Sequence, residues 1–306
     1  MLRKLLFIAL ATVSTVTIKA QDEAPIQKSR MYVKTFTKTP GVSADDLSKV
    51  RTAVISALNN TERFELLDAS SETAITEEIT RRHTEGAMHD PTARTEMIAT
   101  KANNYIMEGV ITACEVKSKK NKEGKITYTC VLSYSVNITD IANNTTVASK
   151  KFEHSPLGIG GSIGAILEES SSAEGAKTSA INLVNNDIKN FLIEEFPIQG
   201  EIYAEDFVIK KEKLTHCYIN VGKSSGVKVG DWFSIMEQQT KVGKTINKEI
   251  GRMKVIEVDD EIANCKVSKG EKEVKKAMDR YMENQAADPD TPRLKVKSMK
   301  EPLLAF

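Results

Sequence analysis

The stretch from Ile126 to Phe152 constrains the fold more than any other part of the chain. Apolar side chains occupy every second position from Ile126 to Ile138, and polar or small residues mostly separate them. An alternation with a period of two predicts a β-strand with one buried face. A turn-rich cluster at 140–145 separates this run from residues 146–152, so we expect two antiparallel strands joined by a short loop. The stretch predicts a sheet and contains no catalytic motif.

The amino terminus has the layout of a secretory signal peptide. Arg3 and Lys4 precede an apolar stretch at 5–11, and a small-residue cleavage pattern ends at Ala20. We therefore expect cleavage after Ala20 and a periplasmic product. The first cysteine is Cys114, so no lipid anchor on a mature amino-terminal cysteine is expected.

Charge and length limit the classes of function. The 306 residues include 43 Lys and Arg against 42 Asp and Glu, a balance without the global positive field that recruits nucleic acid. This length suits one large or two modest domains. The predicted organisation is a signal peptide at 1–20, an α/β module at 30–197, a small β-barrel domain at 200–270, and a helix with a loosely ordered tail at 271–306.

Helices and strands alternate in the first part, which predicts a mixed sheet with helices packed on it. Ser43 begins a capping box before an apolar stripe that ends at Leu58, a pattern typical of a helix start. The longest apolar stripe runs from Ala173 to Leu192 and is stopped by Phe196-Pro197. The other predicted strands are 31–36, 63–67 and 104–116, and the other predicted helices are 68–83 and one that begins at Pro91.

The second part changes character. Five short strand candidates at close spacing predict a small all-β barrel. A charged helix of low amphipathicity and a loosely ordered tail from Asn284 to Phe306 are expected after it. The strand candidates are 201–209, 215–221, 232–237, 249–258 and 262–267.

Four cysteines in an exported protein permit disulfides without requiring them. A hairpin centred near Lys122 would place Cys114 and Cys130 directly opposite each other on the buried face. The pair could form a disulfide, or two reduced thiols could act as small core residues. Strain in a directly opposed disulfide favours the reduced thiols. Spacing does not decide the pairing of Cys217 and Cys265.

Three features are candidates for contact with other molecules. A predicted charged loop at 117–125 carries a run of lysines, for which a solvated turn and contact with an anionic envelope surface are both open. A glycine-rich insertion, which misses the dinucleotide fingerprint, suggests a mobile loop or a subunit contact. For the single tryptophan, core packing is favoured over an exposed anchor. The residues are Lys117, Lys119, Lys120, Lys122, Gly158, Gly160, Gly161, Gly164 and Trp232.

No pattern in the sequence identifies a reaction. The four histidines match no metal-site spacing, and no Gly-x-Ser-x-Gly elbow occurs. Neither His154 nor His216 has a neighbouring serine or carboxylate whose geometry the sequence can establish. We therefore expect no enzyme activity, no cofactor and no metal.

Several segments resemble known families. Residues 63–68 (RFELLD), 105–111 (YIMEGVI) and 134–140 (YSVNITD), with the helix ending at Leu58, resemble the curli production assembly/transport component family. The same module is similar to the lipoprotein activators of penicillin-binding proteins. In the second part, 219–222 (INVG), 226–231 (GVKVGD) and 251–255 (GRMKV) resemble the carboxy-terminal domain of flagellar assembly protein T.

The resemblance implies an envelope protein of the α/β class. The expected function is that of a non-enzymatic periplasmic module for protein interaction or oligomerisation in envelope assembly or secretion. The expected partners are envelope proteins and further copies of the chain, with association at the outer membrane, and no nucleic acid. The alternative is a subunit of a curli-type outer-membrane secretion channel. Such channel members carry a lipidated cysteine and two membrane-inserting hairpins, whose strands need about 9 to 11 residues each. This sequence has neither an anchor cysteine nor a sufficiently long alternating hairpin, because the tip at 117–125 is short and charged.

Overall fold

Among the residues that it describes, the computed structural model has one large hydrophobic core in each part of the chain, and the first part also has a small buried cluster of Tyr32, Ile106 and Ile141. It describes residues 28–68, 104–120, 124–155, 169–203, 205, 207–242, 244–288 and 291–302. The predicted signal peptide, the helix predicted from 68 to 83 and the helix predicted from Pro91 lie outside these residues, apart from Asp68.

The first core lies between a mixed six-stranded sheet and two helices, among the described residues. The strand order is β3-β1-β4-β5-β6, and β2 also pairs with β4. β1 runs parallel to β3 and β4, whereas β4, β5 and β6 are antiparallel neighbours. The elements are β1 (Ser29–Val33), β2 (Thr37–Lys38), α1 (Ala44–Thr61), β3 (Phe64–Asp68), β4 (Asn104–Lys120), β5 (Ile126–Asp140), β6 (Thr145–His154) and α2 (Ala173–Glu195).

Alternation in β5 produces the buried face that the sequence predicts. Every second side chain from Cys130 to Ile138 is buried, and the residues between them are only half-buried. The buried face packs against α2, and α1 packs beside α2 in the same core. The predicted strand pair and its burial are therefore confirmed.

Both helices begin at serine caps. The Ser43 hydroxyl accepts a hydrogen bond from the Asp46 amide at 3.0 Å, and the Ser172 hydroxyl accepts one from the Gly175 amide at 3.1 Å. Each bond satisfies one of the amides that a helix start leaves without an intrahelical partner. α2 ends where predicted, and Phe196 is its C-cap residue.

The second core is enclosed by a curled antiparallel sheet in the order β7-β13-β10-β11-β12-β9-β8. The chain just after β7 bridges back to β9 between Ile202 and Ile219, which makes the sheet barrel-like. The predicted class, an α/β part followed by a small β-barrel-like part, is confirmed. The elements are β7 (Gln199–Glu201), β8 (Val208–Lys210), β9 (Lys213–Ile219), a 3₁₀ turn (Lys223–Ser225), β10 (Trp232–Lys241), β11 (Lys244–Val258), β12 (Ala263–Lys269), α3 (Glu271–Ala287) and β13 (Lys295–Met299).

The carboxy-terminal region differs from its prediction. Residues 295–299 form β13, which lies between β7 and β10, so the expectation of a loosely ordered tail is wrong there. Val296 and Ser298 alternate as buried side chains in this strand, a pattern too short to stand out in the sequence. α3 is also more amphipathic than predicted, because Val274, Met278 and Tyr281 bury one face against the second core.

Arg63 joins the two parts of the chain. Its guanidinium donates to the Phe196 carbonyl at 2.7 Å and to the Ser298 hydroxyl at 3.3 Å. Burial lowers the pKa of this guanidinium, an effect that the charge of Asp231 partly offsets. Lys228 adds a hydrogen bond to the Asn60 carbonyl at 2.7 Å. The end of α1 therefore contacts both the end of α2 and the barrel-like sheet.

Candidate interaction surface

The β4–β5 hairpin extends beyond the rest of the first sheet. Pairing between β4 and β5 continues as far as Lys120 and Ile126, whereas the last pair between β5 and β6 is Leu132 with His154. The predicted charged loop at 117–125 is therefore wrong in its first residues, because 117–120 belong to β4. Backbone pairing with β5 holds these residues in a defined orientation.

Lysines occupy both faces of this extension. Lys117 and Lys119 pair with threonines on the face opposite the helices, and Lys120 pairs with Ile126 on the other face. These three lysines and Lys125 are exposed, and Ile126 is 49% exposed. We call Lys117, Lys119, Lys120, Lys125 and Ile126 the basic hairpin end; Lys122 lies outside the described residues.

Three lysines of the basic hairpin end, Lys117, Lys119 and Lys120, carry charge that the described residues do not neutralise. In the part of the chain that the structure describes, no ion pair involves Lys117, Lys119 or Lys120. Several like charges on one short element create a local positive potential even when the whole chain is nearly neutral. A local positive potential of this kind favours contact with anionic groups.

The flanks of the glycine-rich insertion lie beside the same hairpin. Ser155 directly follows β6, and Ser170 exchanges two backbone hydrogen bonds of 2.9 Å with Tyr128 of β5. Gly158, Gly160, Gly161 and Gly164 themselves lie outside the described residues. The fold thus brings together the attachment points of the insertion and the lysines, which are separated along the sequence.

Cys114 and Cys130 are neighbours, but not in the predicted register. Cys114 pairs with Leu132 and Cys130 with Val116, so the cysteines are diagonal rather than directly opposed. Both are free, buried thiols, and their Sγ atoms are 3.9 Å apart. The hydrogen bond to Cys130 and burial both raise the pKa of the Cys114 thiol. The disulfide stays a prediction.

The second pair of cysteines was not assigned from the sequence. Cys217 of β9 and Cys265 of β12 lie directly opposite each other, and both are fully buried free thiols. Burial raises the pKa of Cys217 to about 12. The spacing of Cys217 and Cys265 in the sequence does not indicate that they are neighbours, because only the pairing of β9 with β12 brings them together.

Trp232 is half-buried at the start of β10. Its indole lies beneath the ammonium of Lys254, whose Nζ is 5.5 Å from the ring centroid. The indole N–H is buried without a hydrogen-bond acceptor among the described residues. This position is intermediate between the predicted core role and an exposed anchor, and it is remote in sequence and sheet from the basic hairpin end.

A buried polar cluster in the first core escaped the sequence analysis. The hydroxyl of Tyr134 donates to Asp187 Oδ2 at 2.9 Å, and His154 Nε2 lies 2.5 Å from the same oxygen. Burial and the Asp187 charge raise the pKa of Tyr134. Only 2% of His154 is exposed, so its ring cannot contact a substrate in solution. The cluster links β5, β6 and α2, and its hydrogen bonds satisfy polar groups that are removed from solvent.

Two features are absent from the described residues. They contain no cluster of three or more His, Cys, Asp or Glu side chains suited to a metal ion. No helix among them combines the length and the apolar character needed to cross a bilayer.

Comparisons with known proteins find only weak structural similarity. No family model matches the sequence, and no curated protein matches it. The chain is similar to the PelC dodecamer from Paraburkholderia phytofirmans, with 11% identity, a TM-score of 0.27, and coverage of 54% of this chain and 91% of that chain. Lipoprotein GNA1162 from Neisseria meningitidis has 14% identity, a TM-score of 0.27, and coverage of 53% and 99%. The LpoB C-terminal domain from Salmonella enterica has 9% identity, a TM-score of 0.22, and coverage of 44% and 86%. At these values, the likenesses carry no functional argument.

Proposed function

We propose that this chain is an exported, non-enzymatic binding protein of the cell envelope and that the basic hairpin end is its main contact surface. The observation that carries the proposal is the extension of the β4–β5 hairpin beyond β6, with exposed lysines on both faces. Strand pairing holds the backbone that carries these side chains in place, so little backbone ordering is needed when a partner binds.

The partner that fits this surface is an envelope protein with an acidic patch. Lysines steer such a partner to the hairpin, and the exposed side chain of Ile126 supplies an apolar contact at its end. Electrostatic contacts of this kind weaken as salt rises, because the Debye length falls from about 10 Å at 0.1 M to about 3 Å at 1 M. The interaction should therefore be sensitive to ionic strength.

The proposed location is the periplasm, after cleavage of the signal peptide behind Ala20. Support comes from the basic residues, apolar stretch and small-residue cleavage pattern at the amino terminus. Amino-terminal sequencing of the mature protein from a periplasmic fraction should begin at Gln21. Recovery of a chain that still begins at Met1 would contradict this part of the proposal.

Crosslinking in intact cells tests the contact surface. A Lys117→Glu, Lys119→Glu and Lys120→Glu variant should lose its crosslinked envelope partner, because the local charge is reversed. A matched variant with Lys266, Lys272 and Lys276 changed to Glu has the same change in net charge at exposed sites elsewhere, and should keep the partner. If the hairpin variant retains every crosslink of the unmodified protein, the basic hairpin end is not the contact surface.

A secretion-channel subunit is the second candidate, because β4 and β5 are longer than the sequence suggested, with 17 and 15 residues. The part beyond β6 comprises only 115–120 and 126–131, however, and a membrane-spanning strand needs about 9 to 11 residues. Planar-bilayer recordings on the purified protein distinguish the candidates. Discrete conductance steps would favour the channel, and their absence would favour the binding protein.

A further inference from the structure

A cleft on the barrel-like sheet is separate from the basic hairpin end. It has a volume of about 420 Å³ and lies where β9, β12 and the end of β11 meet the chain after β7. Ligand pockets commonly have volumes of about 300–1,000 Å³, so the cleft is large enough to receive a side chain or a small ligand. Its aromatic and polar lining consists of Tyr203, Glu205, Tyr218, Glu257, Asp259 and Asn264.

Strand register builds the floor of the cleft. Tyr218 of β9 pairs with Asn264 of β12, which pairs in turn with Glu257 of β11. The three residues therefore form one row across adjacent strands, on the outer face of the sheet. Their neighbours Cys217 and Cys265 point into the second core. Rigid strands thus position an aromatic ring, an amide and a carboxylate side by side.

The lining offers hydrogen-bond acceptors without a matching cation. No lysine or arginine of the described chain lines the cleft. Within the described ranges, the carboxylates of Glu205, Glu257 and Asp259 take part in no ion pair. The Oδ1 atom of Asn264 is buried and accepts no hydrogen bond from a described residue. Because that atom is closed to solvent, the carboxylates are the acceptors that the cleft offers to a ligand. Their uncompensated negative charge favours a cationic ligand with several hydrogen-bond donors.

Aromatic rings add a second requirement. Tyr203 and Tyr218 line the cleft, and aromatic faces attract cations. The ring of Tyr203 already attracts a guanidinium in this chain, because Arg293 Cζ lies 5.9 Å from its centroid. A planar guanidinium stacks on such rings and carries five N–H donors in a fork that matches carboxylates, whereas an ammonium is a compact, strongly hydrated charge.

We propose that this cleft binds an arginine side chain presented by a partner protein. The guanidinium would stack on the ring of Tyr218 and donate to the Glu257 and Asp259 carboxylates, beside the Tyr203 ring that Arg293 already contacts. The occupant is assigned by charge complementarity and by the donor count of the guanidinium. This site is independent of the basic hairpin end, since it lies on the other sheet and requires a ligand of opposite charge.

Capped pentapeptides with one central variable residue test the proposal on the purified full chain. The central residue is arginine, lysine or citrulline, the last being a neutral isostere of arginine. Binding is followed by chemical-shift changes in the protein during titration. We expect the arginine peptide to bind at least about fivefold more tightly than the lysine peptide, and the citrulline peptide to bind at least about tenfold more weakly than the arginine peptide. Equal binding of the arginine and citrulline peptides would overturn the proposal.

Variants locate the binding. Glu257→Gln with Asp259→Asn should weaken the arginine peptide by about tenfold, and Tyr218→Leu should weaken it by about threefold. Glu273→Gln with Glu283→Gln removes two exposed carboxylates from α3 and should leave binding unchanged. Circular dichroism confirms that each variant is folded before titration. Unchanged affinity in the Glu257/Asp259 variant would show that the peptide binds outside this cleft, and would also overturn the proposal.

Discussion

At the scale of single residues, Asp46 places a charged side chain at the edge of the first core. Its carboxylate is buried and accepts two hydrogen bonds from Lys177 Nζ, at 2.8 and 2.9 Å, and one from the Ser43 hydroxyl at 2.7 Å. Burial opposes ionisation of Asp46, but the hydrogen bonds from Lys177 and Ser43 outweigh it and hold its pKa below the ordinary 3.8. One residue therefore completes the cap of α1 and ties α1 to α2.

Replacing Asp46 by Asn should lower the free energy of unfolding by about 2 kcal/mol at pH 7. Removing one partner of a fully buried pair costs about 3–5 kcal/mol, and the partial exposure of Lys177 reduces that figure. A depressed carboxyl pKa stabilises the fold fully above pH 3.8, and this contribution disappears as pH falls through the folded-state pKa. Denaturant unfolding should show the difference between the variant and the unmodified protein shrinking below pH 3.8.

The exposed neighbour Asp45 provides the control. Its side chain is 71% exposed, and among the described residues it pairs with Lys49 alone, across one helical turn. Asp45→Asn should therefore change stability by less than about 0.5 kcal/mol. Parallel pH profiles for the Asp46→Asn variant and the unmodified protein would contradict the assignment.

The absence of a side chain at Gly109 lets the ring of Phe36 pack directly against β4. A Cβ at this position in β4 would lie 2.3 Å from the ring of Phe36, which is almost fully buried. Gly109→Ala should destabilise the protein by about 2 kcal/mol, because overpacking forces the ring or the backbone to move. The cost should fall by more than half when Gly109→Ala is introduced into a Phe36→Leu background, as measured by thermal unfolding of the double-mutant cycle. Equal costs in both backgrounds would show that the ring is not the obstacle.

At the scale of elements, β13 decides whether the barrel-like sheet is continuous. It pairs with β10 on one side and β7 on the other, and Val296 is 1% exposed in the second core. Val296→Ala should lower the free energy of unfolding by about 1–3 kcal/mol, whereas Lys297→Ala at the exposed neighbouring position should change it by less than about 0.5 kcal/mol. Urea unfolding of both variants measures the contrast, and equal effects would mean that β13 is not packed as described.

At the scale of the whole molecule, Arg63 couples the two cores. Arg63→Met keeps an apolar stem but removes hydrogen bonds to the Phe196 carbonyl and the Ser298 hydroxyl. A hydrogen bond to a charged group contributes about 1.5–3 kcal/mol, so losing both bonds weakens the coupling between the two parts of the chain. The variant should therefore unfold in two separated steps and be cleaved faster near Phe196.

Lys228→Met is the matched control for this coupling. Lys228 also bridges the two parts, through Asn60 and Glu62, but its side chain is 37% exposed. Exposed ion pairs contribute about 0–1 kcal/mol, so this variant should keep a single transition and its original rate of proteolysis. Separated transitions in the Lys228→Met variant, but not in the Arg63→Met variant, would place the coupling elsewhere.

The sequence by itself determined the local elements of this protein. Alternation from Ile126 to Ile138 predicted the buried face of β5, the Ser43 cap and the stripe to Leu58 predicted α1, and Phe196-Pro197 predicted the end of α2. These predictions succeeded because side-chain direction repeats every 2 residues in a strand and about every 3.6 in a helix, so spacing alone reports which face is buried.

Only the tertiary structure decided how distant segments meet. A hairpin register shifted from the expected one made Cys114 and Cys130 diagonal rather than opposed, and strand pairing placed Cys217 against Cys265. Insertion of β13 between β7 and β10 gave order to a tail that looked featureless. Pairing of β9 and β11 with β12 assembled the row of Tyr218, Asn264 and Glu257 that forms the floor of the proposed arginine site. Register and strand order depend on contacts between residues far apart in the chain, and the spacing of neighbouring side chains contains no record of them.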